Sequence, residues 1–150
     1  MSLDRAAADR PCDLAVIGAG SAGFSAAITA AEQGAQVALI GHGTIGGTCV
    51  NVGCVPSKTM IRATETLHHA NAAGRFAGIQ AAGQVTDWGA VVAQKDALVG
   101  SLRQSKYLDL LPQYPGIDYL EGRASFTASG LHLDGAAMAA DKIIIATGSQ

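Results

Sequence analysis

The chain has 150 residues, a formal net charge of −2, 49% hydrophobic but only 5% aromatic residues, and 19 glycines. That length is one domain's worth and buries roughly two-thirds of the extended-chain surface, while the near-neutral charge, with no block of like charges, excludes the electrostatic footprint of a nucleic-acid binder or of a protein held on an anionic membrane surface. Three cysteines without a secretory leader argue against a structural disulfide framework and for a reducing, cytoplasmic setting, where a disulfide is catalytic or transient.

Residues 13–17 (DLAVI) are a short apolar run ending in glycines, the pattern of a buried parallel strand. A small-residue helix follows over 21–33, stopped by Gly34, and 36–40 (QVALI) form a second strand. The run from Leu14 to Ala31 carries no charge, yet its glycines and hydroxyl residues read as strand–turn–helix rather than a membrane span. Strand, helix and strand in so short a stretch make a βαβ unit. Residues 56–73 are predicted helical with Pro56 in the first turn, and 76–85 are predicted loop. Asp87 is the candidate cap of a long helix to about Leu111, with Trp88, Val91, Val92, Leu98, Leu102 and Leu108 loosely at helical spacing. The remainder, 117–148, reads as short strands (IDYLEG, ASFTA, LHLDG, KIIIATG). No repeat or linker divides the chain, so the predicted fold is one α/β, Rossmann-like domain over 1–150.

Between the first strand and helix lies Gly18-Ala19-Gly20-Ser21-Ala22-Gly23, a G-x-G-x-x-G sequence. Its place in a βαβ unit is what gives the motif weight. Gly18 permits a tight turn, Gly20 lets backbone approach a pyrophosphate, and Gly23 lets helix and strand pack closely. The helix N-terminus supplies free N–H groups and positive dipole to the phosphates. A dinucleotide site of this type wants an acidic residue at the end of the second strand to hold the adenosine ribose. Here Ile40 is followed by Gly41 and His42, and no arginine is expected nearby to take a 2′-phosphate instead. Losing a charge-assisted hydrogen bond costs on the order of 1.5–3 kcal/mol, which a tightly held dinucleotide with many other contacts tolerates best.

The other chemistry-bearing segment is Gly46-Gly47-Thr48-Cys49-Val50-Asn51-Val52-Gly53-Cys54-Val55-Pro56-Ser57-Lys58. Two thiols on a glycine-punctuated turn suit a dithiol/disulfide that exchanges electrons with a neighbour. On an ideal helix five positions rise about 7.5 Å and turn about 500°, at the edge of disulfide reach. A bridge therefore requires a distorted helix start, and Asn51 and Gly53 are the residue types expected to permit it. A helix N-terminus also favours the thiolate. Two alternatives stay open: a zinc site, short of ligands because only Cys12 and four scattered histidines remain, and a pair of inert buried cysteines. Cys12 itself reads as a small core or surface residue, and His68 and His69 as surface residues late in a helix.

Together, the strand–GAGSAG–helix unit, GGTCVNVGCVPSK and the closing IIIATGS resemble the FAD-dependent pyridine-nucleotide disulfide oxidoreductases, over essentially the whole chain. GTIGGTCVNVGCVPSK followed by MIRA, with LRQSKY and EGRA beyond, is most similar to the mercuric reductase branch; the dihydrolipoyl dehydrogenase branch is second. The resemblance implies Cys54 as the thiolate beside the flavin, Cys49 as the interchange thiol toward substrate, and Lys58 near the flavin ring. It implies Gly18, Gly20, Ser21, Ala22 and Gly23 on the FAD pyrophosphate, and Gly47 and Thr48 along the flavin. Ala124 would meet the adenine, and Ala146, Thr147 and Gly148 the dinucleotide again, while Gly41 stands where the family normally has glutamate. In that branch NADPH reduces FAD, then the cysteine pair; the two thiolates bind Hg(II), a soft ion suited to thiolates, and the reduced flavin delivers the two electrons that give Hg(0). The resemblance also implies a homodimer, and nicotinamide-binding and dimer-forming domains that are not among these 150 residues. By itself this chain is not expected to oxidise NADPH. A rival of another class is a thiol module that traps the metal ion without catalysis.

Overall fold

The computed structural model describes residues 11–149. The first strand, β1 (Cys12–Ile17), is central in a four-stranded parallel sheet. Its neighbours are β2 (Val37–Gly41) and β7 (Ala140–Ile145), and β3 (Ile117–Glu121) lies outside β2, giving the order β3-β2-β1-β7. β2, which carries no charged residue, pays no cost for burial on both faces and is buried at every position. The uncharged run read from the sequence is thus divided between β1 and α1 (Ser21–Glu32), and among the described residues no helix is long and apolar enough to cross a membrane.

Alternation along the strands sends side chains into two cores. Leu14, Val16, Val37 and Leu39 pack with Phe24 and Ala27 of α1 and with Val50, Tyr107 and Ile117. Ala15, Ile17, Ala38 and Ile40 point the other way, onto Leu131, Leu133 and Met138. Those last residues belong to a second, antiparallel sheet of β4 (Ala124–Thr127), β5 (Gly130–Leu133) and β6 (Ala136–Ala137), with Met138 directly after it. The short strands after residue 117 therefore do not form one sheet: β3 and β7 join the parallel sheet, and β4–β6 form a lid on its far face.

α1 stops as its sequence prescribes. Gly34 takes φ +89°, and the Ala35 N–H reaches the Ala30 carbonyl at 3.1 Å while Gly34 bonds Ala31, closing a Schellman motif. Two other helices depart from expectation. The helix predicted from Pro56 begins earlier, as α3 (Cys54–Asn71), and a short α2 (Gly47–Asn51) precedes it. The long helix predicted to reach Leu111 is α4 (Trp88–Arg103), capped by the Asp87 carboxylate accepting from the Ala90 N–H at 3.1 Å. It then widens into a π-helical turn over Gln104–Leu108 and ends in a 3-10 turn at Leu111–Gln113. In α4 Val99 is buried while Trp88 and Leu98 stay exposed, and after the extra residue of that turn Tyr107 is buried while Leu108 stays exposed. Tyr107 meets Phe24 edge-on with ring centroids 4.9 Å apart, and its hydroxyl pairs with Ser21 Oγ at 2.9 Å.

Candidate active site

Two of the phosphate-loop glycines are required by contact as well as by motif. Gly18 has φ +121°, and a Cβ there would sit on the Ala146 carbonyl. A Cβ at Gly23 would strike the Gly18 carbonyl beneath it, so Gly23 lets α1 approach β1. Gly20 precedes α1 with extended backbone and no side-chain cap, and no acidic residue stands in the first turn. The first-turn N–H groups are therefore left without a side-chain partner, an arrangement suited to an anion.

The redox segment is packed directly against this loop. The Gly46 N–H donates to the Ala19 carbonyl at 2.9 Å, and Gly20 and Gly46 form a parallel bridge. Gly47, with φ +69°, lies so close to Gly20 that a Cβ on it would come within 2.8 Å of the Gly20 Cα. A Cβ at Gly46 (φ +102°) would collide with Val50 and press on the Tyr107 ring. The glycine pair thus serves two purposes: it turns the chain into α2, and it lets two backbones touch.

Cys49 lies within α2 and Cys54 opens α3. The break between them is made by Val52 and Gly53. A Cβ on Gly53 would fall 2.9 Å from the Thr48 carbonyl oxygen and 3.2 Å from the Cys49 Cα. Asn51, expected to supply backbone freedom, does something else: it stays helical and works through its side chain. Its Nδ2 donates to the Ile45 carbonyl at 3.0 Å and to the Gly47 carbonyl at 2.9 Å, while its Oδ1 accepts from Arg103 Nη1 at 3.1 Å. One amide therefore ties the loop before Cys49 to α4. Asn51→Ala should lower stability by about 2 kcal/mol, and Asn51→Asp by more, because a carboxylate would then face both carbonyls. Chemical denaturation of the three proteins checks the order.

Both thiols are free and exposed. Hydrogen bonding to the Cys54 side chain pushes the Cys49 thiol above its ordinary range, with slight desolvation and the charge of Cys54 adding to it; the positive charge of Lys58 opposes. Cys12 is separate: its thiol lies at the start of β1 against the Ala139 carbonyl, and burial raises its pKa. Among the described residues no group of three or more histidine, cysteine or acidic side chains is placed to hold a metal ion. His68 and His69 are exposed in the last turn of α3.

Phosphate loop, redox segment and the end of β7 enclose an open cleft of about 460 Å³, within the size range of small-molecule sites. Of the residues singled out from the sequence, Gly18, Gly20, Ser21, Ala22, Gly47 and Thr48 line it, as do Cys49, Ala124, Ala146, Thr147 and Gly148. The Thr48 hydroxyl ties the two ends of this wall together by donating to the Ser149 carbonyl at 2.6 Å. Gly23, Cys54 and Lys58 lie outside the lining. Residues not anticipated also face the cleft, among them His42, Tyr119 and Arg123. Arg123 corrects one sequence inference: no arginine adjoins Gly41 along the chain, but the β3–β4 turn brings one to the same cleft. A strand-pairing argument could have found Tyr119, because β3 lies beside β2.

Residues 12–150 match the family described as pyridine nucleotide-disulphide oxidoreductase. The chain belongs to this family. Among curated proteins it is similar to the mercuric reductase of Lysinibacillus sphaericus, 46% identical over 91% of this chain and 25% of the relative. The Streptomyces lividans mercuric reductase is 49% identical over 91% of this chain and 30% of its own length. Among solved structures, the HOCl-induced flavoprotein disulfide reductase RclA from Escherichia coli superposes with a TM-score of 0.72 at 32% identity, covering 92% of this chain and 28% of that one. The chain thus spans about a quarter of the length of the curated relatives it matches. The cleft brings together the uncapped start of α1 and Cys49.

Proposed function

We propose that residues 1–150 are the FAD-binding, redox-disulfide domain of a mercuric reductase-like flavoenzyme. The observation that carries this reading is the contact of Gly20 with Gly46 and Gly47, which puts Cys49 on the wall of the cleft that the G-x-G-x-x-G loop opens. The residues present fit FAD: the uncapped start of α1 suits a pyrophosphate, and the glycines leave the space that side chains would fill. Gly18, Gly20, Ser21 and Ala22 would hold the pyrophosphate, with Gly23 securing α1 behind them. Gly47 and Thr48 would line the flavin ring, Ala124 the adenine, and Ala146, Thr147 and Gly148 the opposite wall. FAD, when bound, supplies a two-electron relay between NADPH and the cysteine pair.

The chain's own chemistry is the interconversion of Cys49 and Cys54 between disulfide and dithiol, which takes up two electrons and two protons. Cys54 at the start of α3 would face the flavin and Cys49 the substrate, with Lys58 one turn along α3 supplying positive charge. As thiolates the pair would bind Hg(II), and two further electrons would release Hg(0). Nicotinamide binding and dimer formation would reside elsewhere in a longer, cytoplasmic protein.

Reconstitution tests the reading. The chain refolded with FAD and freed of excess should be yellow, and reduction with dithionite should convert its cysteine pair from disulfide to two titratable thiols. A colourless protein that still binds Hg(II) through two thiols would replace this proposal with a metal-trapping module.

A further inference from the structure

The position that should carry the ribose-binding acid is Gly41, the last residue of β2, and the next residue, His42, is exposed. A side chain at Gly41 would meet a neighbour that must then move aside. A Cβ built there would lie 2.5 Å from the Tyr119 hydroxyl oxygen, 2.9 Å from Tyr119 Cε2 and 3.0 Å from Ala19 Cβ. The phenol of Tyr119 therefore occupies the volume a side chain at residue 41 would take, between the end of β2 and the phosphate loop. Parallel pairing explains how it arrives there: Tyr119 is opposite Leu39 and Glu121 is opposite Gly41, so the ring needs to lean only two residues along the strand direction.

Tyr119 is half-buried, lines the cleft, and among the described residues its hydroxyl has no hydrogen-bond partner. A partly buried phenol whose polar tip faces a cleft is the kind of group a ligand satisfies. Burial, with the charge of Glu121, raises its pKa, which keeps the O–H proton available for donation at neutral pH.

We propose that the Tyr119 hydroxyl stands in for the missing carboxylate and hydrogen-bonds a ribose hydroxyl of the adenosine half of the dinucleotide. The inference rests on the FAD reading above. It recasts Gly41 from a defect into a partner: glycine is what allows tyrosine to reach the ribose from the adjacent strand. It also changes what Gly41→Glu should do. A glutamate there would not restore a family contact, because its Cβ would displace the phenol first.

The test is equilibrium titration of the FAD-free chain with FAD, by flavin fluorescence, and with ADP and its 2′-deoxy and 3′-deoxy forms, by calorimetry. Tyr119→Phe keeps the ring and loses only the hydroxyl. It should bind FAD and ADP about 3- to 10-fold more weakly than wild type, with an unchanged melting temperature. Wild type should lose a similar factor with one of the two deoxy nucleotides, and Tyr119→Phe should be indifferent to that same deletion. Gly41→Glu alone should weaken binding, and Gly41→Glu combined with Tyr119→Ala, which clears the space, should recover it. Wild-type affinity in Tyr119→Phe, or an equal response of both proteins to each deoxy nucleotide, would overturn the assignment of Tyr119 while leaving the FAD reading intact. A wild-type chain that binds neither FAD nor ADP would overturn both.

Discussion

Gly18→Ala is expected to lower the melting temperature of the chain by about 10 °C or more and to abolish retention of FAD. Two costs coincide at this residue. Its φ of +121° is a conformation that residues with a Cβ adopt only under strain, on the order of 1–3 kcal/mol. The new methyl would also land on the carbonyl of Ala146, which is backbone and has no rotamer to escape into. Relieving that overlap means separating β1 from β7 where the Ala146 N–H donates to the Ile17 carbonyl at 2.7 Å. Losses above about 4 kcal/mol arise from just such backbone collisions, and in a chain of this size each kcal/mol moves the melting point by about 2–4 °C. Gly43→Ala isolates the first cost, because Gly43 also has positive φ (+81°) but nothing lies within 4 Å of the added methyl. It should melt only a few degrees below wild type. Thermal unfolding followed by circular dichroism compares the two; equal losses would mean that the collision at Ala146 is relieved without cost.

The contrast between these glycines also marks what a sequence can and cannot tell. The strand–loop–helix–strand at 12–41 was legible because every level agrees there: a charge-free run, glycines at fixed offsets, a small-residue helix and a glycine stop. The redox segment was legible as chemistry, through two thiols among glycines, but not as geometry. Residue type suggested backbone freedom at Asn51, whereas the residue contributes a side-chain staple whose partners Ile45, Gly47 and Arg103 come from both sides of it. The end of α4 misled for a different reason. A π-helical turn leaves no mark on hydrophobic spacing except to break it, so Leu108 fits the pattern and Tyr107 takes the buried place. Tyr119 and Arg123 were missed because each reaches the cleft from a strand or turn that is remote in sequence, and only the β2–β3 register brings Tyr119 to Gly41.

Cys54→Ala is expected to do two things to Cys49: remove its partner for a disulfide altogether, and lower the pH at which its thiolate forms. The first effect is read by thiol counting. The chain has three cysteines; mild oxidation with oxidised glutathione should leave one titratable thiol in the wild type, Cys12, whose place at the start of β1 keeps it apart from the pair. The variant should form no bridge within the chain. For the second effect, the sign follows from the causes. Hydrogen bonding to the Cys54 side chain is the largest influence holding the Cys49 proton in place, and the Cys54 charge acts in the same direction, while Lys58 acts against both. Deleting the Cys54 side chain removes the two raising influences it supplies, and leaves slight desolvation against two lowering ones, the Cys54 backbone hydrogen bond and the Lys58 charge. The pH midpoint of Cys49 alkylation by iodoacetamide should therefore fall. Cys54→Ser, which retains a hydrogen-bonding side chain without a thiolate, should lie between variant and wild type, and Lys58→Gln should move the wild-type midpoint upward. If the midpoint in Cys54→Ala stays where it is or rises, the two side chains do not meet across the Val52–Gly53 break.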